Sequence, residues 1–569
     1  MKLNKYFRIG LIVICYVLII SGIYWWIHNN GPYKIRNHLM SYTFWFLEFN
    51  FLLIIIGIIL NFDIIKKLWY KISLKSRILL ALIILTGMIL TCFIAPRTHR
   101  LYYDEDIYLN IGQNLACLKK AQMCNEGYNS YGVYQCYRGE YNKQPYGYPY
   151  LLSVVYRLFG ISKEAAFLFN NLMFGLSIIV VFLLGLLLFE SQVSALWCAF
   201  LYALVPENNL WFSTAAAEPS SAFFTAFSIL CIFLFIKYQK TTLLFLAIVV
   251  ISFSQNFRPE SILLLPIIFI IILLFSRKLF SEYRFYLLGM LALCLVIPII
   301  GHQYAVKMEN WGASGAKFAS NYFQHNLSVN GLFYWKNIRF PAIFSLFAAI
   351  GLIWKARWKE KSIALLWFVL FWGIFLFFYA GSYNYGVDVR YSLLSYVPLI
   401  LLAGFGLYKL QTLLKNRTEK AFVAPVMTVV ILLSFISFMP LIRAETEESW
   451  PCREDYKYAK EFAELLPDDS IVLTHNPNMF LIWGKNAIQT SIASTEFNYV
   501  NNSLFNRHTG GVYFHWNYWC TVPNNLQNSF CNNVLNQFDY EIVRDYQVRD
   551  YRFALYRLYR KQEKNERKE

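Results

Sequence analysis

Three consecutive carboxylates, Asp104, Glu105 and Asp106, follow a long apolar segment. Like charges this close repel one another, so a cation or a ligand is expected to compensate them. A carboxylate at a membrane–water boundary can act as a general base toward a hydroxyl. Asp104 and Asp106 could also bind a divalent metal, which prefers oxygen ligands. The structural alternative is an acidic first turn of a helix, where negative charge suits the helix dipole.

Other charged residues also stand directly before apolar segments. Glu218 and Glu260 each precede one, and Arg390 follows Asp388 in a similar position. Ionisable groups at a membrane edge tend to face a cavity, because facing lipid is costly. A cation at a helix N-terminus opposes the dipole, so Arg390 should have another partner, such as an anionic ligand. The planar fork of arginine suits phosphate. Each residue alone can also be an interfacial anchor.

Several other catalytic motifs are missing from the sequence. The eight histidines form no HExxH motif and no Cys/His zinc spacing. There is no P-loop and no glycine-rich dinucleotide fingerprint, which argues against ATP-driven transport within this chain. The sequence therefore predicts a site without a cofactor, and a metal held by Asp104 and Asp106 is the alternative.

The elements that must position these residues are membrane helices. Of the 569 residues, 57% are hydrophobic and 15% are charged, whereas soluble proteins carry about a quarter charged residues. Apolar segments near the length of a lipid-spanning helix recur up to residue 442 and then stop. The net charge of +18 is concentrated in short loops, which favours cytoplasmic loops over a nucleic-acid surface.

The apolar segments predict about thirteen transmembrane helices. The first resembles a signal peptide, but it lacks a small-residue cleavage site, and we interpret it as a retained helix. The predicted spans are 7–27, 41–62, 78–96, 166–189, 192–206, 219–236, 241–254, 260–275, 285–301, 338–354, 362–380, 391–408 and 422–442.

Basic loops predict the orientation of these helices. Placing the loops 66–77, 277–284, 355–361 and 409–420 in the cytoplasm puts the N-terminus inside and the C-terminal region outside. The apolar segment 148–159 is too short to cross, so we predict a helix along the outer interface. The protein is then a multi-pass protein of the plasma membrane. Its larger outer loops are 97–147, 301–337 and 381–390.

Cysteine placement agrees with this orientation. Six cysteines fall on the predicted outside, an even number, as disulfides in an oxidising compartment require. The pairing cannot be read from the sequence; Cys520 with Cys531 is one possibility, and scattered free thiols are the alternative. The six are Cys117, Cys124, Cys136, Cys452, Cys520 and Cys531.

The C-terminal region, 443–569, has the pattern of a small extracytoplasmic α/β domain. Residues 456–466 have helical periodicity, 470–474 resemble a strand, and 540–559 resemble two strands around Asp550. The aromatic segment 512–519 could stack on sugars, but core packing is the alternative. The basic end, 561–569, is predicted to be disordered.

The order of the motifs resembles the GT-C class of membrane glycosyltransferases, in the branch of protein O-mannosyltransferases and the lipid A aminoarabinose transferase. The resemblance covers about residues 78–410. It is carried by Tyr103-Asp104-Glu105 with Tyr108 and Gly112–Ala116, by Gln144-Pro145-Tyr146-Gly147-Tyr148-Pro149 with Leu158-Phe159-Gly160, by Glu218-Pro219, by Arg258-Pro259-Glu260, and by Arg390-Tyr391 with Leu402–Gly404. The predicted domains are then an N-terminal transmembrane pair with a cytoplasmic loop (1–77), a GT-C-like catalytic domain (78–442) and the α/β domain (443–569).

The resemblance implies a mechanism and a partner set. A sugar on a polyprenyl phosphate, such as dolichyl or undecaprenyl phosphate, would be transferred to a hydroxyl of a glycan, lipid or protein acceptor, with inversion. Asp104 would be the base, and Glu105 would orient it or bind the acceptor. Arg390 and Arg258 would bind the donor phosphate, a form of electrostatic stabilisation. The residues implied to contact substrate or support the site are Tyr108, Tyr148, Glu218, Glu260 and Tyr391.

The sequence departs from the family pattern in two places. The insert 118–142, with its cysteines, is atypical, and the MIR-type domain of the eukaryotic O-mannosyltransferases is absent. Two alternatives to an enzyme are a transporter or flippase of lipid-linked sugars and a binding protein with a degenerate acidic site. A transporter predicts charges in mid-membrane and often internal repeats, whereas the ionisable residues here lie mainly at the edges of the spans.

Overall fold

A computed structural model describes residues 5–130, 132–384, 388–415 and 420–561. The chain forms two compact units. The helical unit comprises Met1–Arg97, Lys143–Tyr148 and Phe167–Ala444, and the sheet unit comprises Thr98–Asn142, Pro149–Ala166 and Glu445–Glu569. Part of the predicted loop 381–390, Arg417 in the fourth basic loop and all of the predicted basic end beyond residue 561 lie outside the described residues.

The chain up to Arg443 is mostly helical. Its apolar segments form helices because only intrahelical hydrogen bonds can satisfy the backbone in lipid. Outside the sheet unit's own elements the helices are Lys5–Asn29, Pro32–Leu60, Phe62–Lys71, Leu74–Ile89, Lys163–Phe189, Gln192–Ala203, Pro206–Trp211, Glu218–Tyr238, Thr241–Ser254, Leu264–Phe275, Tyr283–Leu295, Ile297–Ala305, Phe323–Phe333, Ala342–Ile353, Trp358–Gly373, Leu393–Lys415, Lys420–Ile436 and Met439–Arg443.

Several of these helices are long and apolar enough to cross a membrane. Within the described residues there are six, or up to eight if two bent helix pairs each count as one span. Four more predicted spans fall on shorter apolar helices, including Gln192–Ala203 and Thr241–Ser254, and a fifth falls on the 16-residue helix Trp358–Gly373. A straight crossing takes about 20 residues, so the count of thirteen stays a prediction. The six long helices are Gly10–Asn29, Pro32–Leu60, Leu74–Ile94, Lys163–Phe189, Glu218–Tyr238 and Asp388–Leu414.

The sheet unit is built on one seven-stranded sheet of order β2-β1-β4-β3-β5-β7-β6. The strands are β1 (Met123–Ser130), β2 (Val133–Glu140), β3 (Ile471–Thr474), β4 (Asn486–Gln489), β5 (Val512–Trp516), β6 (Asp539–Val548) and β7 (Tyr551–Tyr559). β3 runs parallel to β4 and β5, and the remaining pairs are antiparallel. The parallel strands are almost continuously buried, as strands covered on both faces are.

Helices accompany the sheet in the same unit. They are Asp104–Leu118, Gly147–Phe159, Trp450–Leu465, Pro477–Ile482, Thr490–Thr495, Phe497–Tyr499, Phe505–Arg507, Tyr518–Thr521 and Leu526–Gln537. The predicted helix 456–466, the predicted strand 470–474 and the two strands predicted in 540–559 all lie on observed elements of the same type. The segment 512–516 is a buried strand, so core packing accounts for most of its aromatic residues.

The outer loop differs from the sequence interpretation. Residues 98–142 were assigned with the transmembrane region, but they cluster in the sheet unit. The reason is that β1 pairs with β4, with Glu126 opposite Ile488 and Gly127 opposite Ala487. The atypical insert therefore supplies two strands of the sheet. Its disulfide, Cys124–Cys136, joins these two strands.

The second disulfide is Cys520–Cys531, the pairing that the sequence raised as a possibility. It ties the short helix Tyr518–Thr521 to the helix Leu526–Gln537. Cys117 is exposed and Cys452 is buried, and both are free thiols. Of the six cysteines on the predicted outside, four are therefore paired.

Candidate active site

In the helical unit, two arginines converge on one carboxylate. Glu218 begins the helix Glu218–Tyr238, and its side chain is only 1% exposed. Its Oε1 accepts from Arg258 Nη1 at 2.5 Å and from Arg390 Nε at 2.9 Å. Two guanidinium groups on one buried oxygen form a compact charged centre in a region of low dielectric, where each contact is stronger than in water.

Further acids and a tyrosine complete this group. Arg258 Nε donates to Glu260 at 2.8 Å, and Arg390 Nη1 donates to Asp388 at 3.2 Å. Arg390 Nη2 donates to the Tyr391 hydroxyl at 2.9 Å, and its guanidinium carbon lies 4.5 Å from the Tyr391 ring centroid. We call Arg258, Arg390, Glu218, Glu260 and Asp388 the arginine cluster. All of its side chains are at least 85% buried.

The arginine cluster contains three carboxylates and two guanidiniums. Glu218 Oε2 is buried and has no hydrogen-bond partner among the described residues. A buried oxygen without a donor is costly, so this atom is where a ligand hydroxyl would be stabilised. An incoming anion would have to exchange with carboxylates that now hold the arginines.

The segment around Tyr148 braces the loops that carry the cluster. Gly147 N donates to Asn256 O at 2.7 Å, and a Cβ at Gly147 would lie 2.6 Å from that oxygen. Only glycine allows this close approach. Asn256 stands two residues before Arg258, so the contact holds the loop that carries this arginine. Asn170 Nδ2 donates to the Tyr148 hydroxyl at 3.3 Å and also to the backbone oxygens of Thr214 and Ala216. The backbone just before Glu218 is thereby fixed.

In the sheet unit, Asp104 is the first residue of the helix Asp104–Leu118, and its side chain is partly exposed. The preceding Tyr102 has a φ of +43°, a left-handed conformation that is uncommon for a tyrosine. Such conformations persist only where the surroundings enforce them, and they cluster at functional sites. We call Asp104, Glu105 and Asp106 the acidic turn. Asp104 is the most accessible of its three carboxylates.

Glu105 has a local structural role. Its side chain is fully buried, and Oε1 accepts from the backbone amides of Arg100 and Leu101 at 2.6 and 3.1 Å. His99 Nδ1 lies 3.4 Å from Oε2. Glu105 therefore closes the turn that leads into the helix and fixes the backbone that presents Asp104.

Asp106 is buried among polar neighbours. Asn476 Nδ2 donates to its Oδ2 at 2.9 Å, and His99 Nε2 lies 3.9 Å from Oδ1. Burial raises the pKa of Asp106 to about 7, against the opposing effect of Lys163. Burial likewise lowers the pKa of His99 well below its usual value, so this imidazole is neutral at pH 7.

A buried chain of polar contacts supports the residue before Asp104. The Tyr103 hydroxyl donates to Asp455 Oδ2 at 2.6 Å, and Asp455 Oδ1 lies 3.1 Å from His515 Nε2. His515 Nδ1 lies 3.0 Å from Thr474 Oγ1. Asp455 and His515 are fully buried. This chain links the core of the sheet to the start of the helix that carries Asp104.

The same helix closely approaches residues 149–156 at Gly112. A Cβ at Gly112 would lie 3.0 Å from Leu152 Cβ and 3.2 Å from Tyr156, so the motif glycine permits close helix contact. Tyr108, which the resemblance implied as a substrate contact, is 2% exposed. The exposed ring of Phe159 ends the helix Gly147–Phe159, as suits an interfacial segment.

The sequence raised a metal held by two acids of the acidic turn as an alternative. Asp104 and Asp106 are two positions apart in one helical turn, and residues at i and i+2 do not face each other. Across the described ranges, no group of three or more His, Cys, Asp or Glu side chains could hold a metal ion.

The structure brings together five of the predicted residues, namely Glu218, Arg258, Glu260, Arg390 and Tyr391. It places Asp104, Glu105 and Tyr108 on the first two turns of a helix in the other unit. The sequence interpretation missed Asn170, Asn256, Asp455, His515 and Asn476. Buried polar residues in apolar or strand-like segments were the only signal that could have found them.

Part of the sequence matches a known family. Residues 143–302 match the model of the dolichyl-phosphate-mannose-protein mannosyltransferases. The matched segment contains Gly147, Tyr148, Glu218, Arg258 and Glu260. No curated protein matches the chain at a significant level.

Solved structures provide the second comparison. A crystal structure of ArnT from Cupriavidus metallidurans, bound to undecaprenyl phosphate, is 14% identical, with a TM-score of 0.51; 85% of this chain and 98% of that chain are covered. AglB from Archaeoglobus fulgidus, an archaeal oligosaccharyltransferase in complex with an inhibitory peptide and a dolichol-phosphate, is 12% identical, with a TM-score of 0.49, and 85% and 74% are covered.

The similarity to ArnT establishes that the fold is of the GT-C type. Together with the family match, it confirms the predicted resemblance and the predicted class of enzyme, a membrane glycosyltransferase. The alternative of a transporter or flippase is not favoured. The apolar helices and the partial match to a family model support a protein that is integral to the membrane.

Proposed function

We propose that the protein transfers a sugar from a polyprenyl-phosphate-type lipid to a hydroxyl of a glycan, lipid or protein acceptor, on the extracytoplasmic face and with inversion at the anomeric carbon. One solved structure supports the donor class, because ArnT was solved with undecaprenyl phosphate. The observation that carries the proposal is the convergence of Arg258 and Arg390 on buried Glu218. Glu218 and Arg258 lie within the residues that the family model matches.

In the proposed reaction, Asp104 accepts the proton of the acceptor hydroxyl. The hydroxyl oxygen forms a bond to the anomeric carbon while the bond from that carbon to the phosphate oxygen breaks. The lipid phosphate leaves with the bonding electrons, and Arg390 and Arg258 stabilise its charge. Glu105 orients the acidic turn. Glu218 and Glu260 hold the arginines in place before the donor binds, and no metal takes part.

The electrostatics of the arginine cluster support this assignment. Guanidiniums kept among carboxylates remain ordered without ligand, so little reorganisation is needed when phosphate replaces a carboxylate partner. The buried Oε2 of Glu218 is proposed to accept a hydroxyl of the donor sugar. Tyr391 contacts Arg390 through its hydroxyl and its ring face and thereby limits the orientation of the Arg390 guanidinium group.

The first prediction tests the base. Changing Asp104 to Asn keeps the shape of the side chain but removes its basicity, so transfer of labelled sugar from a polyprenyl-phosphate donor in membranes should fall by roughly 10²–10⁴-fold. Asp550→Asn, an exposed acid in the same unit, is the matched control at equal expression. Undiminished transfer by Asp104→Asn would remove Asp104 from this role. If neither chain transfers any sugar from a broad donor panel, the transport alternative gains support.

The topology is part of the proposal, with thirteen crossings, the N-terminus in the cytoplasm and the sheet unit outside. The two disulfides support an oxidising compartment for the sheet unit. Cys117 is an exposed free thiol in that unit. A membrane-impermeant maleimide should label it in intact cells, whereas Lys67→Cys in a Cys117→Ser chain should be labelled only after the cells are opened. Reversed labelling would invert the topology.

A further inference from the structure

An apolar cavity lies beneath the short helix Phe62–Lys71 in the helical unit. Its volume is about 610 Å³, and residues from six helices line it, among them Leu68, Trp69, Phe182, Cys231 and Leu246. Among the described residues that line it, Lys66 is the single charged one. Ligand pockets in proteins commonly have about 300–1,000 Å³ and mostly apolar walls, so a hydrocarbon chain fits this cavity in size and chemistry.

The helix over the cavity is built to lie at a membrane surface. Ile64 and Leu68 are buried, whereas Trp69 and Tyr70 are 45% and 66% exposed. This combination of an apolar face, interfacial aromatic residues and lysines is typical of helices that lie in the plane of the membrane interface.

Buried Asn61 fixes where this helix begins. Its Nδ2 donates to Gly57 O at 2.8 Å and to Thr242 O at 3.0 Å, and its Oδ1 accepts from Thr242 Oγ1 at 2.7 Å. The preceding helix Pro32–Leu60 therefore ends at a defined place, and the chain turns against the helix Thr241–Ser254. The roof of the cavity is a fixed part of the fold.

Unpaired positive charge surrounds the same helix. Five cations lie within twelve residues, namely Lys66, Lys67, Lys71, Lys75 and Arg77. None of the five forms an ion pair with a carboxylate within the described ranges. The nearby acid, Asp63, is engaged with Lys240 at 2.7 Å. Basic segments of this kind attract anionic lipids at a membrane surface.

We propose that this place is a binding site for an anionic phospholipid, with one acyl chain in the cavity and the phosphate among the lysines of residues 66–77. The site is separate from the arginine cluster. Cys231 follows Glu218 by thirteen residues on the same helix, which at 1.5 Å per residue is roughly 20 Å along the axis. The acyl chain fills apolar space by close packing, and the headgroup meets cations that form no ion pair with a carboxylate within the described ranges.

The test uses the purified full-length chain, incubated with phosphatidylglycerol or phosphatidylcholine and analysed by native mass spectrometry. Phosphatidylglycerol should give a saturable one-to-one adduct, held at least tenfold more tightly than phosphatidylcholine. The triple variant Lys66→Gln, Lys67→Gln, Lys71→Gln should lose this preference. As the matched control, Arg277→Gln, Lys278→Gln, Lys355→Gln removes the same charge from two other basic loops and should keep the preference.

A second variant tests the cavity itself. Cys231 is fully buried in its wall, and Cys231→Phe should fill the space and weaken the adduct at least tenfold while sugar transfer continues. The site is overturned if both lipids bind equally, if the triple variant binds like the native chain, or if the control loses as much. Stoichiometric displacement of phosphatidylglycerol by undecaprenyl phosphate would assign the cavity to the donor lipid and overturn it as well.

Discussion

The arginine cluster and the acidic turn both bury carboxylates, but the two groups compensate the charge in different ways. In the cluster, Glu218 is held by two guanidiniums. In the turn, Glu105 is held by backbone amides and Asp106 by an asparagine side chain. Guanidiniums can exchange one anion for another, whereas backbone amides hold one carboxylate in place. The cluster thus suits an arriving and departing phosphate, and the turn suits a base of fixed geometry.

Burial also acts on the charge of the acidic turn. It raises the pKa of Asp106 to about 7, against the opposing effect of Lys163. Asp104 is partly exposed and keeps contact with solvent, whereas Asp106 is buried.

The largest effect is expected from removing the centre of the arginine cluster. Glu218→Ala leaves two buried arginines without their shared acceptor, and breaking a buried pair this way costs about 3–5 kcal/mol. Unfolding by denaturant in detergent should show this loss. Glu309→Ala is the matched control, because it breaks the Arg36–Glu309 pair, whose side chains are 29% and 39% exposed, and should cost less than about 1 kcal/mol. Equal losses would mean that the cluster does not depend on Glu218.

A smaller effect is expected from the hydroxyl that supports the acidic turn. Tyr103→Phe removes one donor from buried Asp455 and should cost about 1–3 kcal/mol. If the hydroxyl acts by positioning Asp104, the variant should also slow sugar transfer with little change in the donor KM. In the Asp104→Asn background the same change should slow transfer no further.

The control for this pair is Tyr559→Phe, which removes a hydroxyl from an exposed contact with Glu541. It should change neither stability nor transfer appreciably. If Tyr103→Phe slows sugar transfer by the same factor in the Asp104→Asn background, the hydroxyl supports the fold of the unit rather than the position of Asp104.

The sequence predicted the arginine cluster well in membership but not in contacts. Three of its residues, Glu218, Arg258 and Arg390, are charged residues at the start of apolar segments. Alternate membrane helices begin at the same face of the membrane, so the pattern predicts that these residues share a face. The contacts themselves could not be predicted, because Arg258 and Arg390 are 40 and 172 positions away from Glu218 in the sequence. Asn170 and Asn256, which brace the cluster, look like ordinary residues in apolar segments.

The acidic turn was harder to predict because its partners are distant in sequence. Asp455 and Asn476 lie 352 and 370 positions from the residues that they contact. The insert 118–142 gave no sign that it would join the sheet, since a strand edge finds its neighbour only in the folded chain. Local patterns did identify β3, β6 and β7, where alternation and a turn residue are enough.

The effect that separates the two groups most directly is pH dependence at Asp106. Its pKa is raised from 3.8 to about 7, so folding favours the protonated form. The stability that this group contributes is full below pH 3.8 and is lost as the pH rises to about 7, at up to about 1.4 kcal/mol per pH unit. Neutral His99 acts in the opposite sense, because its lowered pKa removes stability below about pH 6.5.

Comparing the native chain with Asp106→Asn isolates the aspartate from the histidine. Asparagine stays neutral and can still accept from Asn476, so the two chains should have similar stability near pH 4, and the variant should become the more stable one by pH 7. The melting of the β-sheet infrared band reports on the sheet unit and measures this difference. Asp550→Asn, an exposed change, should follow the native profile at every pH. Parallel profiles for Asp106→Asn and the native chain would show that Asp106 is compensated by charge after all, and the contrast with the arginine cluster would disappear.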